Sequence, residues 1–144
     1  EASPEDSAFV RSLRELSKRL GISERVRFEN NVPHEQMGAI YRAHDLFILP
    51  STGEPAAVSP IEAAWNGCAV LISRDSGTRG YAPPGPQFEF DPEDVDDIAR
   101  KLRSALQNPD YLRNLRSRCY NHIVEVASDS VILASFESFI RTRS

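Results

Sequence analysis

Hydrophobic residues recur at three- and four-residue steps in several parts of the chain, as on one face of a helix. Between Pro4 and Leu20 this spacing predicts an amphipathic helix that ends before Gly21. Comparable patterns predict five further helices, which begin near Pro33, Pro60, Asp91, Pro109 and Ser130. The helix near Ser130 is expected to extend to about Arg141.

Continuous apolar runs alternate with these helices. Residues 45–51 and 68–73 are typical of strands buried on both faces of a parallel sheet, and shorter strands are predicted at 25–28 and 88–90. Strands alternating with helices predict an α/β fold, a doubly wound, Rossmann-like parallel sheet with helices on both faces. Because a complete domain of this class has more strands, we expect the opening strands to be missing before the first helix.

The length of 144 residues predicts a single domain. Its core strands and loops are expected within residues 25–73, and its carboxyl-terminal helices within 91–144. A net charge of −4 argues against broad nucleic-acid binding. No apolar run approaches the roughly 20 residues of a membrane-spanning helix.

The two cysteines fall within apolar patterns. Cys68 lies in a strand run and Cys119 on a helical stripe, so both are interpreted as reduced core residues. A reducing, cytoplasmic location follows as the expectation. No signal peptide is visible in the sequence. Because the chain begins at Glu1 without a methionine, we expect it to be a trimmed or processed piece from which a targeting segment could have been lost.

Polar loops follow the two most apolar strands, at residues 51–59 and 74–86. Ligands of parallel sheets bind at the carboxyl ends of strands, where such loops lie. The first loop holds Glu54, and Glu62 follows in the first turn or so of the next helix. Carboxylates there can accept hydrogen bonds from vicinal sugar hydroxyls, and the helix N-terminus favours an anion such as a diphosphate.

These residues carry a resemblance to a known family. Residues 45–51, then Glu54, seven residues, Glu62-Ala-Ala, Asn66-Gly67 and 68–73 are similar to the E-x7-E region of retaining glycosyltransferases of family four, the glycosyl transferases group 1 type. The ordered set covers roughly residues 12 to 120 and is more specific than two glutamates at this spacing. It implies the carboxyl-terminal, donor-binding domain of a two-domain (GT-B) enzyme.

The resemblance also implies roles for individual residues. Glu54 takes the position of the catalytic glutamate beside the donor hexose, and Glu62 that of the glutamate that binds the ribose hydroxyls of the nucleotide. Four positions are expected to approach the sugar and diphosphate, namely Ala56, Ala57, Val58 and Ser59. From the second loop, Arg79 is the basic residue expected to contact phosphate or sugar.

The implied partners follow from the same resemblance. They are a nucleotide sugar and an amino-terminal acceptor-binding domain of the same protein, with no metal and no cofactor besides the donor. Peripheral membrane contact by the intact enzyme is left open.

The sequence departs from the family pattern in ways that bear on activity. Pro55-Ala56-Ala57 replaces the usual Gly-Phe-Gly or Pro-Phe-Gly, and residues 76–81 replace the usual Gly-Gly-x-Pro-Glu. The lysines, Lys18 and Lys101, lie in helical patterns, so the basic pair that holds the leaving diphosphate is missing. We therefore expect the fragment alone to be inactive. The alternative is a catalytically silent nucleotide-sugar-binding or assembly module; a phosphorylase is disfavoured because its pyridoxal needs a pocket lysine.

Other groups with possible metal-binding chemistry are interpreted as structural. Asp94 and Asp96 resemble an Asp-x-Asp metal motif, but they stand at a helix start and are expected to cap it. Cys119 and His122 form half of a zinc-site spacing and are interpreted as a helix-surface pair.

Overall fold

The computed structural model describes residues 8–127. The chain forms two compact units, one ending at Met37 and the other beginning at Gly38. The helix predicted near residues 130–141 lies outside the described residues. No helix in the described part of the chain combines the length and apolar character needed to cross a membrane.

The first unit contains helix α1, Ala8–Arg19, where the sequence predicts it. Gly21 follows at a φ of 66°, the left-handed conformation that commonly ends a helix. The strand predicted at 25–28 is wrong: a short 3-10 helix occupies Ser23–Arg25, and the strands of the described sheet all lie later in the chain. Val26 is extended, with φ −117° and ψ 121°, but an extended segment is a strand only when a neighbour pairs with it.

The second unit is built on a three-stranded parallel sheet in the order β1-β2-β3. The strands are β1, Leu46–Leu49; β2, Ala69–Ser73; and β3, Glu89–Phe90. Leu46 pairs with Ala69 in the register of β1 and β2, and Ile72 pairs with Glu89 in that of β2 and β3. The predicted α/β class and the parallel direction of the sheet are confirmed.

Strands β1 and β2 differ in burial. Every residue of β2 is buried, as its apolar sequence predicts, whereas every residue of β1 is only half-buried. The expectation that β1 is covered on both faces is therefore wrong. Within the described residues β1 has a neighbour on one side only, so it is an edge strand and keeps some contact with solvent.

Helix α2 precedes the edge strand β1 in the chain and spans His34–Arg42. Helix α3 follows β1 and spans Ser59–Trp65. Pro60 lies in the first turn of α3, where its missing N–H costs nothing, and Gly67 follows the helix at a φ of 91°. Both features confirm the predicted start and end of this helix.

The last two described helices begin with side-chain caps. Helix α4 spans Val95–Gln107, and the Asp94 carboxylate accepts a hydrogen bond from the Asp97 amide at 3.0 Å. The expected start at Asp91 is therefore wrong by several residues, while the interpretation of Asp94 as a cap is confirmed. Helix α5 spans Pro109–Val126, with Asn108 as its cap.

The core forms where α5 packs on β2 and on α3. From α5 it takes three fully buried side chains, Leu115, Cys119 and Ile123. From the strands and the approach to β3 it takes Leu71, Ile72, Phe88 and Phe90. Both cysteines are buried and free, which confirms their interpretation as reduced core residues.

Candidate functional site

Two loops meet at the carboxyl ends of β1 and β2. The Gly77 amide in the second loop donates a hydrogen bond to the Glu54 carbonyl in the first, at 2.8 Å. A Cβ on Gly77 would lie 2.1 Å from the carbonyl oxygen of Pro55, closer than any side chain can approach. Glycine is therefore required at position 77, and the two loops form one connected surface.

Hydrogen bonds within the second loop and from neighbouring residues hold it in place. Ser76 and Thr78 are buried, and their hydroxyl oxygens are 2.9 Å apart in a mutual hydrogen bond. The hydroxyl of Ser73, at the end of β2, accepts a hydrogen bond from the Asp75 amide at 3.1 Å. His122 of α5 places its Nε2 3.1 Å from the Gly80 carbonyl oxygen. These bonds fix the loop on the domain independently of any ligand.

Glu54, the predicted catalytic residue, is half-buried in the first loop. Its carboxylate Oε1 accepts a hydrogen bond from the Ala56 amide at 3.2 Å. Ala56 and Val58 are exposed, while Ala57 and Ser59 are half-buried. The amide of Ala56, which is one of the groups expected to approach the donor, is thus already bonded to Glu54.

Glu62, the predicted ribose ligand, is half-buried in α3, where it also bonds to α2. Its Oε2 accepts a hydrogen bond from the Tyr41 hydroxyl at 3.2 Å. One turn later, Asn66 donates to the Glu62 carbonyl at 2.9 Å and accepts from Arg42 at 2.6 Å. Consecutive residues of α2 therefore hold the side of α3 that carries Glu62.

Tyr41 is the buried partner of this carboxylate, with 5% of its surface exposed. Its ring meets that of Phe47 edge-on, with centroids 6.0 Å apart. Burial, followed by the negative charge of Glu62, raises the pKa of Tyr41 to about 12. The phenol is therefore protonated at neutral pH and donates to Glu62.

Ser51 stands at the start of the first loop, directly after β1. Its hydroxyl oxygen is buried and has no hydrogen-bond partner among the described residues. A buried hydroxyl without a partner costs about 1–3 kcal/mol.

Arg79 is exposed in a short 3-10 helix, Arg79–Tyr81, within the second loop. Its Nη1 donates to the Arg74 carbonyl at 3.1 Å. The loops that carry Glu54 and Arg79 are thus joined in the structure. The carboxylates of Glu54 and Glu62 accept hydrogen bonds from different residues, Ala56 and Tyr41. Convergence of the two glutamates on one ligand stays a prediction.

The remaining candidate groups have structural positions. Cys119 is fully buried and its sulfur accepts a hydrogen bond from the Val70 amide at 3.3 Å, so its interpretation as a surface residue beside His122 is wrong. Across residues 8–127 no group of three or more His, Cys, Asp or Glu side chains is arranged to hold a metal ion. An open cavity of about 460 Å³ lies beside Gly67, at the amino end of β2 and away from the two loops.

The sequence analysis does not predict the roles of two residues of this site, Tyr41 and Gly77. Tyr41 is visible only as part of the apolar stripe of α2, because its bond to Glu62 joins residues 21 positions apart. Gly77 has a weak local signal: it stands between Ser76 and Thr78 in a loop directly after a buried strand, where close backbone approach is common.

Comparison with known proteins adds independent information. The profile of the family described as glycosyl transferases group 1 matches residues 6–122. A mannosylfructose-phosphate synthase of Agrobacterium fabrum is 33% identical over 95 residues, which cover 65% of this chain and 21% of the relative. A D-inositol 3-phosphate glycosyltransferase of Nocardia farcinica is 34% identical over 112 residues, covering 77% of this chain and 25% of the relative.

Solved structures share the fold at lower identity. A sucrose-phosphate synthase of Thermosynechococcus elongatus superposes with a TM-score of 0.77 and 21% identity, over 99% of this chain and 37% of the other. The C-terminal domain of a glycosyl transferase group 1 family protein of Francisella tularensis gives a TM-score of 0.75 and 21% identity, over 90% and 66% of the two chains. The match spans a quarter or less of each curated relative described above.

Proposed function

This chain belongs to the glycosyl transferases group 1 family, and we propose that it binds the donor in a glycosyltransferase that transfers a hexose from a nucleotide-diphosphate sugar to an acceptor with retention. Its fold is that of the carboxyl-terminal domain of the two-domain (GT-B) enzymes. The acceptor-binding half is proposed to come from the remainder of the same protein.

The observation that carries the proposal is the joining of the two strand-end loops. The Gly77 amide holds the Glu54 carbonyl at 2.8 Å, so groups from both loops face the edge of the sheet where α/β domains bind ligands. A ligand rich in hydroxyl and phosphate oxygens supplies the polar partners that such a surface favours.

Each predicted residue has a role in this proposal. Glu54 orients the donor hexose, and Glu62 accepts hydrogen bonds from the ribose hydroxyls. The polypeptide at Ala56, Ala57, Val58 and Ser59 approaches the sugar and diphosphate, with Arg79 as a phosphate contact. The donor is itself a substrate, and no further cofactor or metal is part of the proposal.

Charge explains why we propose that the chain alone does not catalyse transfer. Cleavage of the bond between sugar and phosphate builds negative charge on the leaving oxygen, and this charge needs cationic or N–H donors. Arg79 is exposed and already donates to the Arg74 carbonyl at 3.1 Å. The remaining positive charge is proposed to come from the rest of the intact enzyme. The intact enzyme is proposed to act in the cytoplasm, and peripheral membrane contact is left open.

One contact favours a second candidate, a catalytically silent nucleotide-sugar-binding or assembly module. Glu54 accepts from the Ala56 amide at 3.2 Å, so the acid is bonded to a group that donor binding would use. Pro55-Ala56-Ala57 also carries more side-chain bulk than a glycine-containing turn, which restricts close approach to a diphosphate.

Turnover by the full-length protein separates the two candidates. We expect hydrolysis or transfer from at least one UDP-, GDP- or ADP-sugar, and we expect Glu54→Gln to lower kcat by about 100-fold or more while nucleotide still binds. Glu15→Gln, the same chemical change on the exposed side of α1, serves as the control and should leave kcat unchanged.

Two results would contradict the enzymatic proposal. Full activity in Glu54→Gln would remove that residue from the reaction. Tight nucleotide-sugar binding with no turnover across the donor panel would establish the silent module instead.

A further inference from the structure

We propose that Tyr41 is a positioning residue that holds the Glu62 carboxylate in the orientation that recognises ribose, an inference that rests on the proposed donor site. The motif residues alone do not assign this role. It follows from the hydrogen bond between the Tyr41 hydroxyl and Glu62 Oε2 at 3.2 Å.

Tyr41 is itself firmly placed. The buried Cys68 thiol donates to the Tyr41 carbonyl at 3.1 Å, and the His44 amide donates to the same oxygen at 3.0 Å. The ring is buried and meets Phe47 edge-on at 6.0 Å between centroids. Backbone and ring are therefore fixed before any ligand arrives, and the hydroxyl has a defined position.

A fixed donor restricts the side chain that it holds. A glutamate side chain has several rotatable bonds, and ordering it when a ligand binds costs free energy. The bond from Tyr41 orders the Glu62 carboxylate in advance, while Asn66 holds the Glu62 carbonyl at 2.9 Å. Preorganisation of this kind raises affinity without adding a contact to the ligand.

The chemistry of the pair suits recognition of a diol. A phenol donates a charge-assisted hydrogen bond to a carboxylate, and the two oxygens of an ionised carboxylate accept about four hydrogen bonds in all. Accepting from Tyr41 is therefore compatible with accepting from vicinal hydroxyls. A nucleotide that lacks those hydroxyls loses this interaction.

The competing interpretation is that the Tyr41 hydroxyl only attaches α2 to α3. Arg42 and Asn66 already join the same two helices through a hydrogen bond of 2.6 Å. A purely structural hydroxyl would affect stability and would leave the preference for ribose unchanged. The discriminating quantity is thus the ratio of two affinities rather than either affinity alone.

The experiment compares ribonucleotide with dideoxyribonucleotide binding to the full-length protein by isothermal titration calorimetry. UDP, GDP and ADP identify the base, and the matching 2′,3′-dideoxynucleoside diphosphate then serves as the probe. We expect the wild-type chain to prefer the ribonucleotide by about tenfold and Tyr41→Phe to prefer it by about twofold. Tyr120→Phe, which removes an exposed hydroxyl, should keep the wild-type ratio.

The outcomes separate this inference from the proposed function. A wild-type ratio in folded Tyr41→Phe, together with loss of the preference in Glu62→Gln, would overturn the role of Tyr41 and retain the donor site. An unchanged preference in Glu62→Gln, or no binding of any nucleotide, would overturn the donor site and this inference with it.

A wild-type measurement covers the case in which Tyr41→Phe fails to fold. With 13C at the ζ-carbon of tyrosine, the Tyr41 signal should shift on addition of the ribonucleotide and shift much less with the dideoxynucleotide. Equal shifts with the two probes would overturn the inference.

Discussion

The environment of Tyr41 predicts a specific loss of stability at alkaline pH. Burial and the nearby Glu62 carboxylate raise the pKa of Tyr41 from 10.0 to about 12, so the folded state favours the protonated phenol. This contribution is complete below the unfolded pKa and disappears as the pH rises through the folded pKa. Wild type should exceed Tyr41→Phe by about 1–3 kcal/mol in free energy of unfolding near neutral pH, and the difference should narrow between pH 10.0 and about 12.

Urea unfolding of both proteins across this pH range measures the difference. Tyr120→Phe serves as the control, since it removes the same hydroxyl group from a tyrosine that is 44% exposed. Burial also raises the pKa of Cys119, but that cysteine is present in all three proteins and cancels in the comparison. A difference between wild type and Tyr41→Phe that stays constant with pH would contradict the prediction.

Single residues differ in how far the sequence predicts their roles. Asp94 is recognised as a helix cap because its partner, the Asp97 amide, is three residues away in the chain. Glu54 and Glu62 are recognised as candidates because they keep a family spacing around a strand-end loop. The contact between Tyr41 and Glu62 depends on how α2 packs against α3, which no local pattern encodes.

The sequence predicts secondary-structure elements correctly where local residues determine them, and less well where contacts with distant parts of the chain do. Strand β2, helix α3 and helix α5 form where the local sequence favours them. Strand β2 is a continuous apolar run, α3 has Pro60 in its first turn and Gly67 after its end, and α5 begins at Pro109. The alternating residues 25–28 do not form a strand, because strand formation also requires a pairing partner. For β1, likewise, the apolar run predicts a strand but not the number of its neighbours, which determines its burial.

The close contact of the two strand-end loops gives a prediction for Gly77. In Gly77→Ala the new Cβ would lie 2.1 Å from the Pro55 carbonyl oxygen, so the loops must separate and the bond from the Gly77 amide to Glu54 weakens. Overpacking of this kind costs about 1–3 kcal/mol. We expect a lower free energy of unfolding in urea and weaker nucleotide binding by calorimetry.

Gly80→Ala provides a matched control in the same loop. No atom lies within 4 Å of a Cβ built at Gly80, so this variant should stay within about 0.5 kcal/mol of wild type and keep its nucleotide affinity. Equal effects of the two substitutions would show that the contact between the loops does not shape the site.

At the scale of the whole second unit, the two ends of the sheet serve different purposes. The carboxyl ends of β1 and β2 lead into the candidate site, whereas the amino ends are bound to α5 through Arg116. Its Nε donates to the Gly67 carbonyl at 2.7 Å, and its Nη1 bonds the Asp45 carboxylate at 2.7 Å. One side chain thereby joins α5 to the segments that precede both strands, at the end away from the loops.

This separation predicts that stability and ligand binding can be altered independently. Arg116→Ala removes both bonds and should lower the free energy of unfolding by about 1–3 kcal/mol, while nucleotide affinity of the folded protein stays unchanged. Arg113→Ala is the matched control, because within residues 8–127 the ion pair of Arg113 is with exposed Asp110 on the same helix, and such pairs contribute about 0.3–0.5 kcal/mol. Urea unfolding and calorimetry at a temperature where both variants are folded would measure the two quantities. A fall in nucleotide affinity in Arg116→Ala would show that the two ends of the sheet are coupled, because the substituted side chain makes its contacts before the strands and the proposed ligand binds after them.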